Sequence, residues 1–223
     1  MNYDDFLELV KNRRSFRRFK SDPVPKETLE KVLEAARLPP SAGNSQPWEF
    51  VVVQDVAKKK SITKSITSGR KKLREADFTA PILIIVCGDR RLEATYPAHL
   101  EGEILLRQSL AVSIYTLQLA AATFGLATAW GTMQTESRET QIRQLLGIPD
   151  VYTVDHIVPL GYPDEEKEKR DKTLRPVRER ASLRRELNEI VHYERYDMKK
   201  FRSDEKVNEF IWSKTVTRIP PVK

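Results

Sequence analysis

The stretch from Glu103 to Phe124 constrains this chain more than any other. It carries Ile104, Leu105, Leu106, Leu110, Val112, Ile114, Leu117, Leu119 and Ala120 to Ala122, so that nearly every face of a helix drawn through it is apolar. A helix apolar all round has to be covered all round. A chain of 223 residues rarely covers every face of such a helix by itself, so the stretch predicts a subunit interface. Composition points the same way: 39% hydrophobic against 32% charged residues is too little apolar material for a self-contained globule, and part of the chain is expected in extensions. No apolar run reaches the roughly 20 residues that span a bilayer. The acidic start Met1 to Phe6 lacks the apolar core of a signal peptide, so the expected location is the cytoplasm. The one cysteine, Cys87, excludes an intrachain disulfide framework and any multi-cysteine metal site, and its place after a β-branched run reads as a buried strand residue.

Periodicity supplies the other elements. A first helix is expected from Asp4 or Asp5 to about Lys11, with Phe6, Leu7 and Val10 on one face. A second runs from Lys26 to Arg37 with Leu29, Val32, Leu33 and Ala36 at helical spacing, and Pro39-Pro40 stops it. Lysine-rich Val56 to about Ala76 and Ser137 to Leu146 read as further helices. Strands are expected at Trp48 to Gln54, Pro81 to Cys87 and Tyr152 to Leu160, with a strand and turn at Gly125 to Thr132. Strands alternating with helices predict a sheet covered on both faces.

Two segments carry chemistry. Arg13-Arg14-Ser15-Phe16-Arg17-Arg18-Phe19 places four guanidiniums and a hydroxyl within seven residues. Guanidiniums grip phosphate oxygens bidentately, a serine hydroxyl can serve another oxygen, and the phenylalanines hold the segment to a core. The segment reads equally well as a solvated basic strand. Pro40-Ser41-Ala42-Gly43-Asn44-Ser45-Gln46-Pro47-Trp48 is small, polar and glycine-hinged, and can bring backbone amides and the Ser41 and Asn44 side chains close to a flat ligand edged with heteroatoms.

The order helix, Arg-Arg-Ser-x-Arg, Pro-x-Pro, helix, Pro-Ser-x-x-Asn-x-Gln-Pro-Trp and a valine-rich strand resembles the nitroreductase family of FMN-dependent oxidoreductases, from about Asp4 to Glu194. The resemblance implies an α+β fold with a mixed, largely antiparallel central sheet flanked by helices on both faces, in an intertwined homodimer. It implies FMN at the subunit interface and NADPH or NADH as a transient hydride donor. By the matching positions, Arg13 and Ser15 would hold the FMN phosphate, Arg14 the ribityl-phosphate side, and Arg17 the N1/O2 pole. Pro40, Ser41, Ala42 and Asn44 would complete the site from the neighbouring subunit. Ala129, Trp130 and Gly131 match the segment that lies along the isoalloxazine. Leu183 to Glu194 is similar to the family's Arg-Arg-Pro-Leu motif, with Glu186 where proline is usual. It makes Arg184 the candidate cation over the phosphate, with Arg185 next and Arg175 in an alternative register.

The resemblance also implies one FMN-binding domain over residues 1–195, with a charged insertion at 164–182, and an arm over 196–223 that wraps the partner subunit. Phe201, Phe210, Ile211 and Trp212 in that arm need such cover. The flavin would carry the hydride chemistry, in keeping with the lack of any Ser/His/Asp order or paired carboxylates; His99, His156 and His192 are scattered and read as structural or exposed. No Gly-x-Gly-x-x-Gly or P-loop pattern is present. The implied reaction is reduction of a nitroaromatic, quinone or similar acceptor in a ping-pong cycle. Reductive dehalogenation or flavin breakdown on the same scaffold is the alternative. The net charge of +7 admits a basic nucleic-acid module, but the basic residues lie in the cofactor-like motifs or are balanced by Glu, so neither a nucleic acid nor a membrane is expected as partner.

Overall fold

A computed structural model of the chain describes residues 2–67, 80–95, 101–132, 136–170 and 184–208. The chain divides into two units, Met1–Asp164 and Glu165–Lys223. The first holds α1 (Tyr3–Asn12), α2 (Lys26–Ala36), β1 (Trp48–Val53), α3 (Val56–Thr67), β2 (Ile82–Asp89), α4 (Gly102–Thr123), β3 (Ala127–Thr128), β4 (Gly131–Thr132), α5 (Glu136–Leu146) and β5 (Tyr152–Gly161). The second holds α6 (Glu165–Arg170) and α7 (Leu187–Ile190).

The sheet order is β1-β2-β5-β3, with β4 also on β5, and every ladder is antiparallel. β2 and β5 are buried on both faces, as the apolar run Ile82 to Cys87 requires of β2, while β5 also buries Thr153, Asp155 and His156. One face of the sheet packs Ile82, Ile84, Val86, Val158 and Leu160 against α2 and α4. The other packs Leu83, Ile85, Cys87 and Ile157 with Ile62 and Ile66 of α3 and Ile142 of α5. Helices on both faces of a largely antiparallel sheet is the arrangement expected. β2 runs past Cys87 because a register shift between Val86 and Gly88 lets the ladder continue to Asp89. At Gly88 an added Cβ would lie 2.8 Å from Leu110 Cδ1 and 2.9 Å from Thr153 Oγ1, so any larger residue would have to displace these side chains under α4. Burial drives the Cys87 thiol up to about 12, with Glu49 and Asp155 adding to the effect, and it behaves as a core residue.

Three expectations change. α1 starts at Tyr3 because Asn2 and Asp5 form a reciprocal capping box, and none of its residues is buried. The segment Gly125 to Thr132 forms two short strands on β5, Ala127 opposite Gly161 and Gly131 opposite Ile157, in one unbroken register. The gap falls where Ala129 N–H donates to the Pro159 carbonyl at 3.4 Å, since proline has no N–H to return the bond. The third concerns α4, which among the described residues has one buried and one exposed face, the exposed face being as expected. Leu106, Leu110, Ile114, Leu117 and Ala121 are buried, while Ile104, Val112 and Tyr115 form an exposed stripe, 38–47% accessible. By length and apolar content this helix could cross a bilayer, contrary to the expectation that no such segment exists, yet its buried face is the core of the sheet unit.

Candidate functional site

The arginine segment is extended chain tied to the sheet by two isolated bridges. Arg13 caps α1, its N–H donating to Leu9 O at 2.9 Å, and the chain then leaves in extended form. Ser15 forms a parallel bridge with Thr128 of β3, and Phe16 N–H donates to Thr128 O at 2.9 Å. Further along, Phe19 bridges Pro163 and is buried, while Lys20 N–H donates to Tyr162 O at 2.9 Å. The segment is thus laid along one end of the sheet, as its alternation of aromatic and basic residues allows. Arg13, Arg14, Ser15 and Arg17 are half-buried. The Arg13 guanidinium sits 5.8 Å from the ring centroid of Tyr115, within cation–π range, at the end of the exposed stripe of α4. The Nε–H groups of Arg13 and Arg14 are buried with no acceptor from the protein. A buried donor left without a partner costs about 1–3 kcal/mol, so this arrangement suits an anionic group supplied from outside the chain.

The loop after α2 is fastened to α4. Ala42 N–H donates to Ser109 Oγ at 3.2 Å, and that hydroxyl donates to Leu105 O at 2.8 Å. Ser41 Oγ accepts from Gln46 N–H at 2.9 Å, so this hydroxyl closes the loop and keeps its proton and one lone pair for a ligand. Ser41 and Ala42 are half-buried; Pro40 and Asn44 are exposed. Gly43, Asn44 and Gln46 all have positive φ, at 58°, 54° and 45°. Only the first is a glycine, and two non-glycine residues in the left-handed region store roughly 1–3 kcal/mol each.

Beside Ser15, the 129–131 segment presents a buried Ala129, a part-exposed Trp130 and Gly131. A Cβ on Gly131 would come within 2.9 Å of Ile157 Cγ2, so this glycine is already required by packing on β5. The Trp130 indole N–H donates to His156 Nδ1 at 3.2 Å, with the rings edge-to-face at 5.6 Å. His156 is buried, which holds its imidazole below the ordinary range; Asp155 pulls it up and Arg107 pushes it down.

A sequence model of the nitroreductase family matches residues 10–162, which takes in the arginine segment, the loop and all five strands. The chain belongs to the nitroreductase family. A protein of Archaeoglobus fulgidus, named as a candidate NADH dehydrogenase/NAD(P)H nitroreductase, is 35% identical over 166 residues, 74% of this chain and 89% of its own length. Iodotyrosine deiodinase 1 of Rattus norvegicus is 30% identical over 187 residues, 73% of this chain and 64% of that protein. Among solved structures, an FMN-dependent nitroreductase of Clostridium difficile superposes with a TM-score of 0.65 at 26% identity, covering 85% of this chain and 99% of the other.

In this nitroreductase the remaining candidates lie in the second unit. Arg184 is exposed. Arg185 is engaged within α7: it donates from a terminal nitrogen to Glu189 O at 2.7 Å and pairs with the Glu189 carboxylate at 3.8 Å. Glu186, where the family pattern has proline, caps α7 in a reciprocal box with Glu189. His192 stacks on Tyr196 at 4.2 Å and accepts from Asp197 N–H, and Phe201 is exposed. Arg175, His99, Phe210, Ile211 and Trp212 lie outside the described residues.

Sequence reasoning missed Tyr115, Ser109 and Ser113. The two serines are buried one turn apart on α4, and Ser113 Oγ donates to Ala36 O at 2.7 Å. Their signal was present: hydroxyls on the covered side of an apolar helix need partners.

Proposed function

We propose that this chain is a homodimeric FMN enzyme that takes hydride from NADPH or NADH and reduces a nitroaromatic, quinone or similar acceptor in a ping-pong cycle. The observation that carries the proposal is the extended segment Arg13 to Arg17, bridged to β3 at Ser15, with two buried guanidinium donors lacking an acceptor, in a chain of this family. Those residues fit a phosphate-bearing flavin. Arg13, Arg14 and Ser15 would hold the phosphate and ribityl side, with Arg184 as a further cation; Arg185 is the weaker candidate because Glu189 occupies it. Arg17 would supply a fixed positive charge near the N1/O2 edge, where reduction adds negative charge. FMN, when bound, supplies the hydride chemistry, which leaves the protein to bind, orient and exclude water.

Ser41, Ala42 and Asn44 are assigned to the site of the neighbouring subunit, and their loop is held rigidly on α4 for that purpose. The exposed stripe Ile104, Val112 and Tyr115 is the surface we assign to the partner, and the Arg13 guanidinium over the Tyr115 ring at its end supports an anion site near that surface. The likeness to an iodotyrosine deiodinase supports reductive dehalogenation as a second reading, on the same cofactor site. A cytoplasmic location goes with either.

The test is steady-state kinetics of the FMN-loaded protein with NADPH or NADH against menadione, nitrofurazone and an iodotyrosine. Parallel double-reciprocal lines with the first two acceptors support the proposal. Turnover confined to the iodotyrosine favours the second reading, and no oxidation of either nicotinamide with any acceptor refutes both.

A further inference from the structure

Trp130 is the large aromatic side chain of the 129–131 segment, and one atom holds its ring. The indole N–H is only a donor, so His156 Nδ1 must be unprotonated to accept it at 3.2 Å, and the imidazole proton resides on Nε2. The edge-to-face ring contact at 5.6 Å fixes the same orientation. His156 is set in place by two ladders, facing Val86 of β2 and Thr132 of β4, so the acceptor itself is immobile. The indole is 37% exposed, so apart from this bond one edge of it faces out of the protein.

We propose that His156 is a positioning residue for the flavin site: its neutral Nδ1 locks the Trp130 indole, and uptake of a proton there releases it. A doubly protonated imidazole carries N–H groups at both nitrogens and turns the acceptor into a second donor facing the indole N–H. The charges around His156 come from every side. Asp155 is its neighbour on β5 and favours the charged ring; Arg107 reaches from α4, disfavours it, and stands 3.8 Å from Asp155 Oδ2. Cys87 on β2 is a neutral thiol, and Glu139 on α5 interacts with Asp155. Burial tips the balance toward the neutral ring at neutral pH, so the release belongs to acidic solution. The inference rests on the proposed flavin site, since only there does the orientation of Trp130 bear on a cofactor.

The experiment follows the indole N–H cross-peak of Trp130 by NMR in the full-length protein from pH 8 to pH 4.5, assigned by its disappearance in Trp130→Phe, alongside FMN affinity over the same range. The expected result is an indole resonance and an FMN dissociation constant that change together, with one midpoint below the ordinary histidine value. His156→Asn, whose side-chain oxygen can replace Nδ1 but cannot gain a proton, should stay within about threefold of the parent affinity and lose the titration. His156→Leu should weaken FMN binding about 5–10-fold at every pH, the worth of one neutral hydrogen bond. An indole resonance that does not titrate, or that still titrates in His156→Asn, overturns the assignment of the hydrogen bond. A resonance that titrates while FMN affinity stays flat overturns the positioning role. Failure to bind FMN at any pH overturns the proposed function itself, and the indole titration distinguishes that result from the first.

Discussion

Removal of the Ser113 hydroxyl tests how the loop of the candidate site is held. The carbonyl of Ala36 lies at the end of α2, where a helix leaves acceptors without intrahelical donors. The residues three and four further on are Pro39 and Pro40, neither of which has an N–H to give. Ser113 supplies the missing donor at 2.7 Å from α4, and both residues are fully buried. Ser113→Ala removes one oxygen, so the cavity term is small, and the cost is that of a buried carbonyl left bare, about 1–3 kcal/mol. For a chain of this size that corresponds to a fall in Tm of roughly 2–12 °C. Urea unfolding at fixed protein concentration should show a lower midpoint with the slope unchanged, and amide exchange should quicken in the 41–46 loop before it does in β2. A midpoint shift worth less than about 0.5 kcal/mol would mean that the Ala36 carbonyl has another donor, and the tie between α2 and α4 would have to be sought elsewhere.

Three further predictions probe the sheet and the site. Gly88→Ala drives a methyl group into Leu110 Cδ1 and Thr153 Oγ1 and should cost about 1–3 kcal/mol; combined with Leu110→Ala, which alone should cost about 2–5 kcal/mol, the loss should be clearly less than the sum, and strict additivity in urea unfolding would refute the packing argument. Glu139 is held above its ordinary 4.5 by burial and by Asp155, against the pull of Arg90, so the folded protein binds more protons there than the unfolded chain and this contribution to stability fades as pH rises through the raised value. Glu139→Gln should therefore gain on the parent from pH 5 to pH 8, and a relative loss over that range, read from urea midpoints, would contradict the sign. Arg13→Ala and Arg14→Ala should each weaken FMN binding at least tenfold, since each loses a charge-assisted contact worth about 1.5–3 kcal/mol, as measured by flavin fluorescence titration; parent-like affinity in both would remove them from the site.

Much of this architecture could be read from local pattern. Val51 to Val53 and Ile82 to Val86 are strands because β-branched runs bounded by turn residues have few other outcomes, and α2 stops where Pro39 and Pro40 stop it. What local pattern could not supply was pairing. β3 and β4 are two residues each, too short to carry a period, and their split is dictated by Pro159, some thirty residues away on β5. The arginine segment was legible as an anion site but its bridge to the sheet was not, because its partner Thr128 lies more than a hundred residues further on. The same holds for the Tyr115 ring under Arg13 and for the bond from Trp130 to His156. The left-handed backbone of Asn44 and Gln46 is imposed by the bond from Gln46 N–H to Ser41 Oγ, which no propensity announces. The apolar composition of α4 overstated how much of the helix is buried, since Ile104, Val112 and Tyr115 are exposed.

The most direct measurement is the absorbance spectrum of the purified protein after incubation with FMN and removal of excess, followed by denaturation and identification of whatever chromophore is released. Stoichiometric flavin bands, with free FMN recovered on denaturation and the bands diminished in Arg13→Ala, are the predicted result. A protein that stays colourless after saturation with FMN would contradict the central claim, and would leave the Arg13 to Arg17 segment as a site for some other anion.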